Sequence, residues 1–396
     1  MTTTETIRFQ NADGETLAAR LDFPVGPVKA YALFAHCFTC SKDIIGARGV
    51  SRALAARGYA VLRFDFTGLG QSEGDFSDTT FSSNVDDLLR AADHLRQSYE
   101  APKLLVGHSL GGAAVLAAAN RVPEVLAVAT IAAPSAPDHV KRHLDGKVDE
   151  IEKDGEAVVD LGGRPFRIRK SFVDDLSAHA VLDEVAAMKK ALLVMHAPLD
   201  DTVSVSNATD IFIAARHPKS FVSLDDADHL LSRKQDADYA GGVLAAWAER
   251  FVGSSDDAEA ESEDGWAVSR SVPGATFAQD IAVGGHLVRA DAGAAEGGDG
   301  TGPNPTQLAH AALAACGGIT AHMYARRKKW PLEAVEIAVR GAPGGDQHVN
   351  AVMEKRVRLS GDLDDEQKAR ITEIIDKCPV HRMLAAGVDI RHTDER

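Results

Sequence analysis

Gly107-His108-Ser109-Leu110-Gly111 sets a serine between glycines, directly after the apolar run Lys103-Leu-Leu-Val106 and directly before Gly112-Ala-Ala, the start of a helical pattern. A strand-to-helix turn of this kind lifts a hydroxyl above a sheet, because glycines accept the tight backbone and the helix N-terminus faces developing negative charge. A serine is a weak nucleophile without a base, so a carboxylate and a histidine should follow in the order Ser, Asp, His. His196-Ala-Pro-Leu-Asp200-Asp-Thr-Val203 follows one apolar run and Asp225-Asp-Ala-Asp-His229-Leu-Leu follows the next. Both stretches fall on loops at the same sheet edge as Ser109. Asp200 is the expected acid and His229 the expected base; Asp201 is the rival acid, and Asp228 reads as a loop carboxylate. The bland alternative is that Ser109 only caps a helix. An oxyanion hole needs two backbone N–H groups, one from Leu110 after the nucleophile and one from the turn Ala35-His36-Cys37-Phe38-Thr39, at Phe38 or Cys37. His94, His108, His139 and His179 read as surface or packing residues.

The four cysteines are Cys37, Cys40, Cys316 and Cys378, too few for a disulfide scaffold at this length. Cys37-Phe-Thr-Cys40 has the spacing of a redox pair, but no thioredoxin-like pattern surrounds it, so packed, reduced thiols are expected. No second paired set of ligands lies nearby, and no metal is expected. Cys316 shares a helical face with Leu308, Ala312, Ile319 and Met323, which places its thiol against a core. Cys378 precedes Pro379, a residue suited to a first helical turn, so Cys378 is an N-cap candidate where the macrodipole favours a thiolate. Taken alone, such cysteines are most often structural.

The elements that must hold these residues fall into two sets. Ala30–Ala35, Ala60–Phe64, Lys103–Val106, Leu126–Ile131, Ala191–Met195 and Ser220–Leu224 read as strands alternating with helical patterns, the signature of an α/β domain with a mostly parallel sheet. Thr16–Asp22 reads as an edge hairpin. Residues 135–180 lose the rhythm and form a cap or lid insertion over the C-terminal strand ends, where open sheets bind ligands. Gly253–Asp264 carries six carboxylates and no basic or large apolar residue, hence an acidic, solvated linker. The expected division is residues 1–252, linker 253–264 and residues 265–396. In the last part Trp266–Arg270, Ala275–Val283 and Gly285–Asp291 read as strands. A glycine-rich loop follows, then a helix over Pro305–Arg327, strands around Glu333–Arg340 and Val349–Leu359, and a helix over Asp364–Lys377. Strands and helices are segregated there, an α+β arrangement.

The strand ending in His36-Cys37-Phe38, the stretch Asp65-Phe-Thr-Gly68-Leu-Gly70-Gln-Ser72, the serine elbow, Asp200 and His229 together resemble the α/β-hydrolase superfamily over roughly residues 5–252. The resemblance implies a carboxylic-ester or related acyl hydrolase that works through an acyl-enzyme without a cofactor. Cys37 stands where the usual turn has glycine. Gly302-Pro-Asn-Pro-Thr-Gln-Leu, Ala311-Ala-Leu-Ala-Ala-Cys316, Met323-Tyr-Ala-Arg-Arg-Lys-Lys-Trp-Pro-Leu332 and Cys378-Pro-Val-His381 resemble the OsmC/Ohr family over nearly all of residues 266–393. That resemblance implies an intertwined homodimer and thiol-dependent reduction of organic hydroperoxides: Cys316 attacks the peroxide, Cys378 resolves the sulfenic acid, and an external dithiol such as lipoamide reduces the disulfide. It also implies an activating arginine, with Arg270 and Arg289 as candidates, and a partnering glutamate, where this chain has Thr306 and then Gln307.

Composition narrows the partners. The chain has 396 residues, 45% apolar and 26% charged, with a net charge of −15. Clustered positive charge for nucleic acid or anionic membranes is not expected. No apolar run approaches the ~20 residues that span a bilayer, and the N-terminus lacks a signal pattern, so a cytoplasmic protein is expected. Two functions compete: a serine esterase joined to a thiol peroxidase, or an esterase whose OsmC-like part is a non-catalytic dimerisation or ligand-binding module.

Overall fold

The computed structural model describes residues 3–37, 40–144, 146–160, 164–252, 265–272, 275–342 and 352–391. The acidic stretch 253–264 and Phe38 lie outside them. The described chain forms two compact units: residues up to 289 apart from 276–278, and those three together with residues from 290 onward.

The first unit opens with an antiparallel hairpin, β1 (Thr3–Gln10) and β2 (Thr16–Phe23), followed by β3 (Ala30–Ala35), α1 (Ile45–Ala55), β4 (Tyr59–Phe64), α2 (Phe81–Ser98), β5 (Leu104–His108), α3 (Leu110–Ala118) and β6 (Ala127–Ile131). The insertion then folds as a 3-10 segment (Pro137–His143), α4 (Val148–Asp154), the hairpin β7 (Glu156–Asp160) and β8 (Pro165–Arg169), and α5 (Lys170–Leu176). After it come α6 (Val181–Ala187), β9 (Ala191–His196), α7 (Ser206–Ala214), β10 (Lys219–Ser223) and α8 (Lys234–Glu249), then a small sheet of β11 (Ala267–Ser271), β12 (Gln279–Val283) and β13 (His286–Ala290).

The main sheet runs β1-β2-β4-β3-β5-β6-β9-β10 and is parallel from β4 onward. Chain order reverses around β3, which has β4 on one side and β5 on the other. That is the switch point at which open α/β sheets leave a crevice at their C-terminal edge. Because strands alternate their faces, Tyr31, Leu33 and Ala35 join one apolar layer with α2 and α3, while Ala32 and Phe34 join the other with α1 and α8. The insertion contributes Phe172, Val173 and Leu176 to the first layer, and the Ser82 amide and hydroxyl each donate to Asp175 at 2.7 Å.

Within this unit Asp87 of α2 is buried and accepts from the Thr67 amide at 2.9 Å. Burial, with added repulsion from Glu15 and Asp86, pushes its pKa up to about 6 despite that bond. The folded state thus holds the proton more tightly than the unfolded state does, and stability is lost as pH rises from about 4 through about 6. Asp87→Asn keeps the acceptor and removes the buried charge. It should raise Tm by ~2–5 °C at pH 7.5 and leave Tm nearly unchanged at pH 4. Equal shifts at both pH values in thermal scans would show that the charge is not the cause.

The second unit packs α9 (Pro305–Lys328) on the antiparallel pair β14 (Leu332–Gly341) and β15 (Met353–Gly361), with α10 (Asp365–Ile375) and α11 (Pro379–Ala386) completing it. Asn304 and Gln307 close a reciprocal cap at the start of α9, and Pro305 fits its first turn. Among the described residues its buried apolar cluster is small: Ala321, Tyr324, Leu363, Ile371 and Ile375.

Candidate active site

Three loops at the C-terminal edge of the first unit's sheet converge. Ser109 follows β5 with φ 56° and ψ −125°, a left-handed region that L residues enter at a cost, and its side chain makes no helix cap bond. The capping alternative therefore does not account for it. Gly111 is required by close approach: a Cβ there would lie 2.3 Å from the His36 carbonyl oxygen. The loop after β9 supplies Asp200, and the loop after β10 supplies His229. His229 Nε2 lies 2.9 Å from Ser109 Oγ, and its Nδ1 lies 2.8 Å from Asp200 Oδ2. It is Asp200, and not the exposed Asp201, that meets the imidazole. Asp200 Oδ1 accepts from the amides of Thr202 and Val203, both at 2.9 Å. Burial raises the Asp200 pKa, but the hydrogen bond and charge of His229 and the two amides outweigh it and hold the carboxyl below its usual range. Asp228 caps Ser232 instead. The arrangement can deprotonate a hydroxyl and stabilise the imidazolium that results.

The turn after β3 is held from several sides. His36 Nδ1–H donates to the Cys37 carbonyl at 2.7 Å, and burial pushes the ring's pKa down. Cys37 is 2% exposed and is disulfide-bonded to Cys40. This corrects the expectation of reduced thiols: the turn brings the two Cα atoms to 5.4 Å, within bridging range. Phe38 lies between them, outside the described residues, while Leu110 occupies the first position of α3. Behind the turn the fully buried Asp65 carboxylate accepts from the Lys42 amide at 2.7 Å, the Lys42 ammonium at 2.5 Å and the Gln71 amide at 2.9 Å. Gly70, at φ 57°, lets that loop close, since a Cβ would meet Asp65 Cγ at 2.3 Å.

In the second unit Cys316 and Cys378 are free thiols, near enough that Cys316 helps to raise the Cys378 pKa. Cys378 caps α11 and accepts from the His381 amide at 3.4 Å, as its place before proline predicts. The expected thiolate is not favoured there: burial, with the Cys316 contact, pushes the Cys378 pKa up. The expected placement of Cys316 against a core is also corrected. Ile319 is 61% and Met323 68% exposed, Ala312 is exposed, and Cys316 is half-buried; α9 turns Leu313, Gly317, Ala321 and Tyr324 inward instead.

Residues 28–149 match the family model for serine aminopeptidase S33, and residues 298–393 match that for OsmC-like proteins. Among solved structures, the chain is similar to the esterase domain of a Rhodothermus marinus protein, with 54% identity over 63% of this chain and 100% of that one, at a TM-score of 0.53. The chain unites an α/β-hydrolase domain with an OsmC-like domain. The hydrolase domain is also similar to the palmitoyl-protein thioesterase ABHD10, a mitochondrial protein by its description. Identity is 28% over 211 residues for the Mus musculus protein, spanning 52% of this chain and 70% of that one. For the Homo sapiens protein it is 29% over 154 residues, spanning 37% and 49%. The chain thus covers between about half and 70% of these relatives.

Of the two arginines considered for the OsmC-like part, Arg289 is committed elsewhere: it is buried and donates to Asp280 at 2.6 Å, Thr3 Oγ1 at 2.6 Å and the Pro24 carbonyl at 3.0 Å. Arg270 lies exposed on β11. Gln307 is held in the helix cap. In the hydrolase domain the Lys42–Asp65 pair and His108 were not singled out by sequence for any role at the site. Asp65 was visible only as part of a loop motif. Among the described residues no helix is long and apolar enough to cross a membrane, and no group of three His, Cys, Asp or Glu residues is placed to hold a metal.

Proposed function

We propose that this chain is a cytoplasmic serine acyl hydrolase joined to a thiol-dependent organic hydroperoxide reductase, dimeric through its OsmC-like domain. The observation that carries the hydrolase reading is His229 bridging Asp200 and Ser109 at 2.8 and 2.9 Å. Ser109 Oγ attacks the acyl carbonyl while His229 Nε2 takes its proton. The N–H of Leu110 and a second from Cys37 or Phe38 receive the oxyanion. His229 returns the proton to the departing alcohol or thiol, and then activates a water that hydrolyses the acyl-enzyme. Esters are the substrate class, with thioesters next in view of the name of the mouse relative. No cofactor enters.

For the second activity, the supporting observation is the nearness of two free thiols, Cys316 and Cys378. The dimer reading is supported by the small core of the OsmC-like unit and the apolar outer face of α9. The alternative, an esterase with a non-catalytic OsmC-like module, draws on Thr306 in place of the family's glutamate and on the commitment of Arg289 to Asp280.

The test is covalent labelling. A fluorophosphonate should stop p-nitrophenyl acetate hydrolysis with one adduct per chain, found by mass spectrometry on the peptide containing Ser109. Hydrolysis that survives full labelling, or an adduct on another serine, would overturn the assignment.

A further inference from the structure

His108, the residue immediately before the serine, makes a contact that the hydrolysis scheme does not use. It ends β5, is 2% exposed, and places Nε2 2.6 Å from the backbone carbonyl oxygen of His229. A carbonyl only accepts, so Nε2 carries the hydrogen and donates it. The two imidazole rings lie 5.4 Å apart between centroids, inclined by 37°. We infer that His108 is a positioning residue, whose Nε2–H ties the loop carrying the general base to the strand carrying the nucleophile. The inference rests on the reading of Ser109, His229 and Asp200 as a catalytic triad.

The loop needs such a tie. Asp225 at φ 47° and Leu231 at φ 51° are both left-handed and neither is glycine, so the backbone on each side of His229 is held in sparsely populated conformations. Strained loops of this kind keep one geometry only where contacts over-determine it. The amides of Ala227 and Leu231 bond to carbonyls within the loop, the Ser232 amide bonds to Asp228, and the Leu224 amide bonds to the His196 carbonyl of β9. These bonds close the loop on itself or join it to the acid's strand. The His108 bond joins it to the residue next to Ser109, and thereby sets the separation across which the proton must move.

The side-chain chemistry suits that task. Burial, followed by the His229 charge, pushes the His108 pKa down to about 3. The ring is therefore a neutral donor throughout the range in which an esterase with an imidazole base works, and it adds no positive charge beside the imidazolium that forms on His229. A cation at the same position would oppose that imidazolium, and an apolar side chain would leave the carbonyl without its donor.

The test compares His108→Leu, His108→Gln and Ser109→Ala in the full chain, with p-nitrophenyl acetate turnover expressed per fluorophosphonate-reactive site for the first two. His108→Leu should lower kcat by roughly 30–100-fold with KM within about threefold, and slow the phosphonylation rate constant in parallel. His108→Gln, which keeps a side-chain N–H near the position of Nε2, should recover to within about fivefold of the wild type. A loss that reflected only core packing would fall on the fraction of reactive sites and on Tm, and glutamine would not restore the per-site rate. The proposal is overturned by a His108→Leu kcat within twofold of the wild type, or by equal losses in both variants. Should His108→Leu give no reactive sites, His108→Gln decides alone, and a kcat more than tenfold below wild type overturns the proposal. Ser109→Ala separates the two levels: if it retains activity the triad itself falls, whereas if it is inactive beside an unimpaired His108→Leu only the positioning role does.

Discussion

Asp200→Asn should lower kcat for ester hydrolysis by roughly 10³–10⁴-fold while changing KM by less than about threefold. The magnitude follows from the hydrogen bonds around the carboxylate. Oδ1 is fixed by the Thr202 and Val203 amides, so an asparagine in this place keeps its oxygen on those donors and turns its NH₂ toward His229. Nδ1 of His229 would then have to accept, which moves the ring hydrogen to Nε2. A protonated Nε2 cannot take the proton of Ser109, although every heavy atom stays in position. Asp201→Asn supplies the control, because Asp201 is exposed and accepts from the Thr202 hydroxyl at 3.2 Å. Steady-state rates on one nitrophenyl ester measure both. Equal losses in the two variants, or a larger loss at Asp201, would remove Asp200 from the triad.

That Asp200 rather than Asp201 meets the base was open in the sequence, and the reason is local. Two adjacent aspartates after a strand are equivalent until the backbone turns, and here the amides two and three residues on capture the first of them. Ser109 and His229 were legible because they depend on local order: a strand, a glycine-flanked turn and a helix for one, and a loop after the last strand for the other. His108 carries no such mark, since its partner is a backbone carbonyl 121 positions away. Lys42 and Asp65, 23 positions apart, escape notice for the same reason. The helical period of α9 identified an apolar face correctly, yet periodicity reports which residues share a face and not what covers it. Residues 308, 312, 316, 319 and 323 therefore read as a core face, and Ile319 and Met323 instead lie on the outside of the described chain. In the insertion the β7–β8 hairpin was invisible because its strands, Glu156-Ala-Val-Val-Asp160 and Pro165-Phe-Arg-Ile-Arg169, are too short to establish an alternation.

Cys316→Ser should reduce the loss of cumene hydroperoxide in the presence of dihydrolipoamide by at least about 100-fold, and leave p-nitrophenyl acetate hydrolysis within twofold of wild type. In the proposed step the Cys316 thiolate sulfur bonds one peroxide oxygen, the O–O bond breaks, and the departing alkoxide takes a proton to leave as alcohol. Cys316 is then a sulfenic acid, two electrons oxidised. The Cys378 sulfur attacks it, a disulfide forms and water leaves; the dithiol returns both cysteines to thiols as it becomes a cyclic disulfide. The geometry suits this division of labour. Cys316 is half-buried, so a peroxide can reach it more readily than it can reach Cys378, which is fully buried. Burial also pushes the Cys378 pKa up, which disfavours it as the attacking thiolate and leaves it near Cys316 as the resolving partner. Cys378→Ser should accordingly complete one turnover and accumulate a sulfenic acid that dimedone traps on Cys316. With Thr306 where the family has its glutamate, and with Arg289 bound to Asp280, activation of Cys316 has to come from another group. If the wild type consumes no hydroperoxide while its esterase is intact, that activation is missing, and the OsmC-like domain serves the hydrolase as a module without redox chemistry of its own.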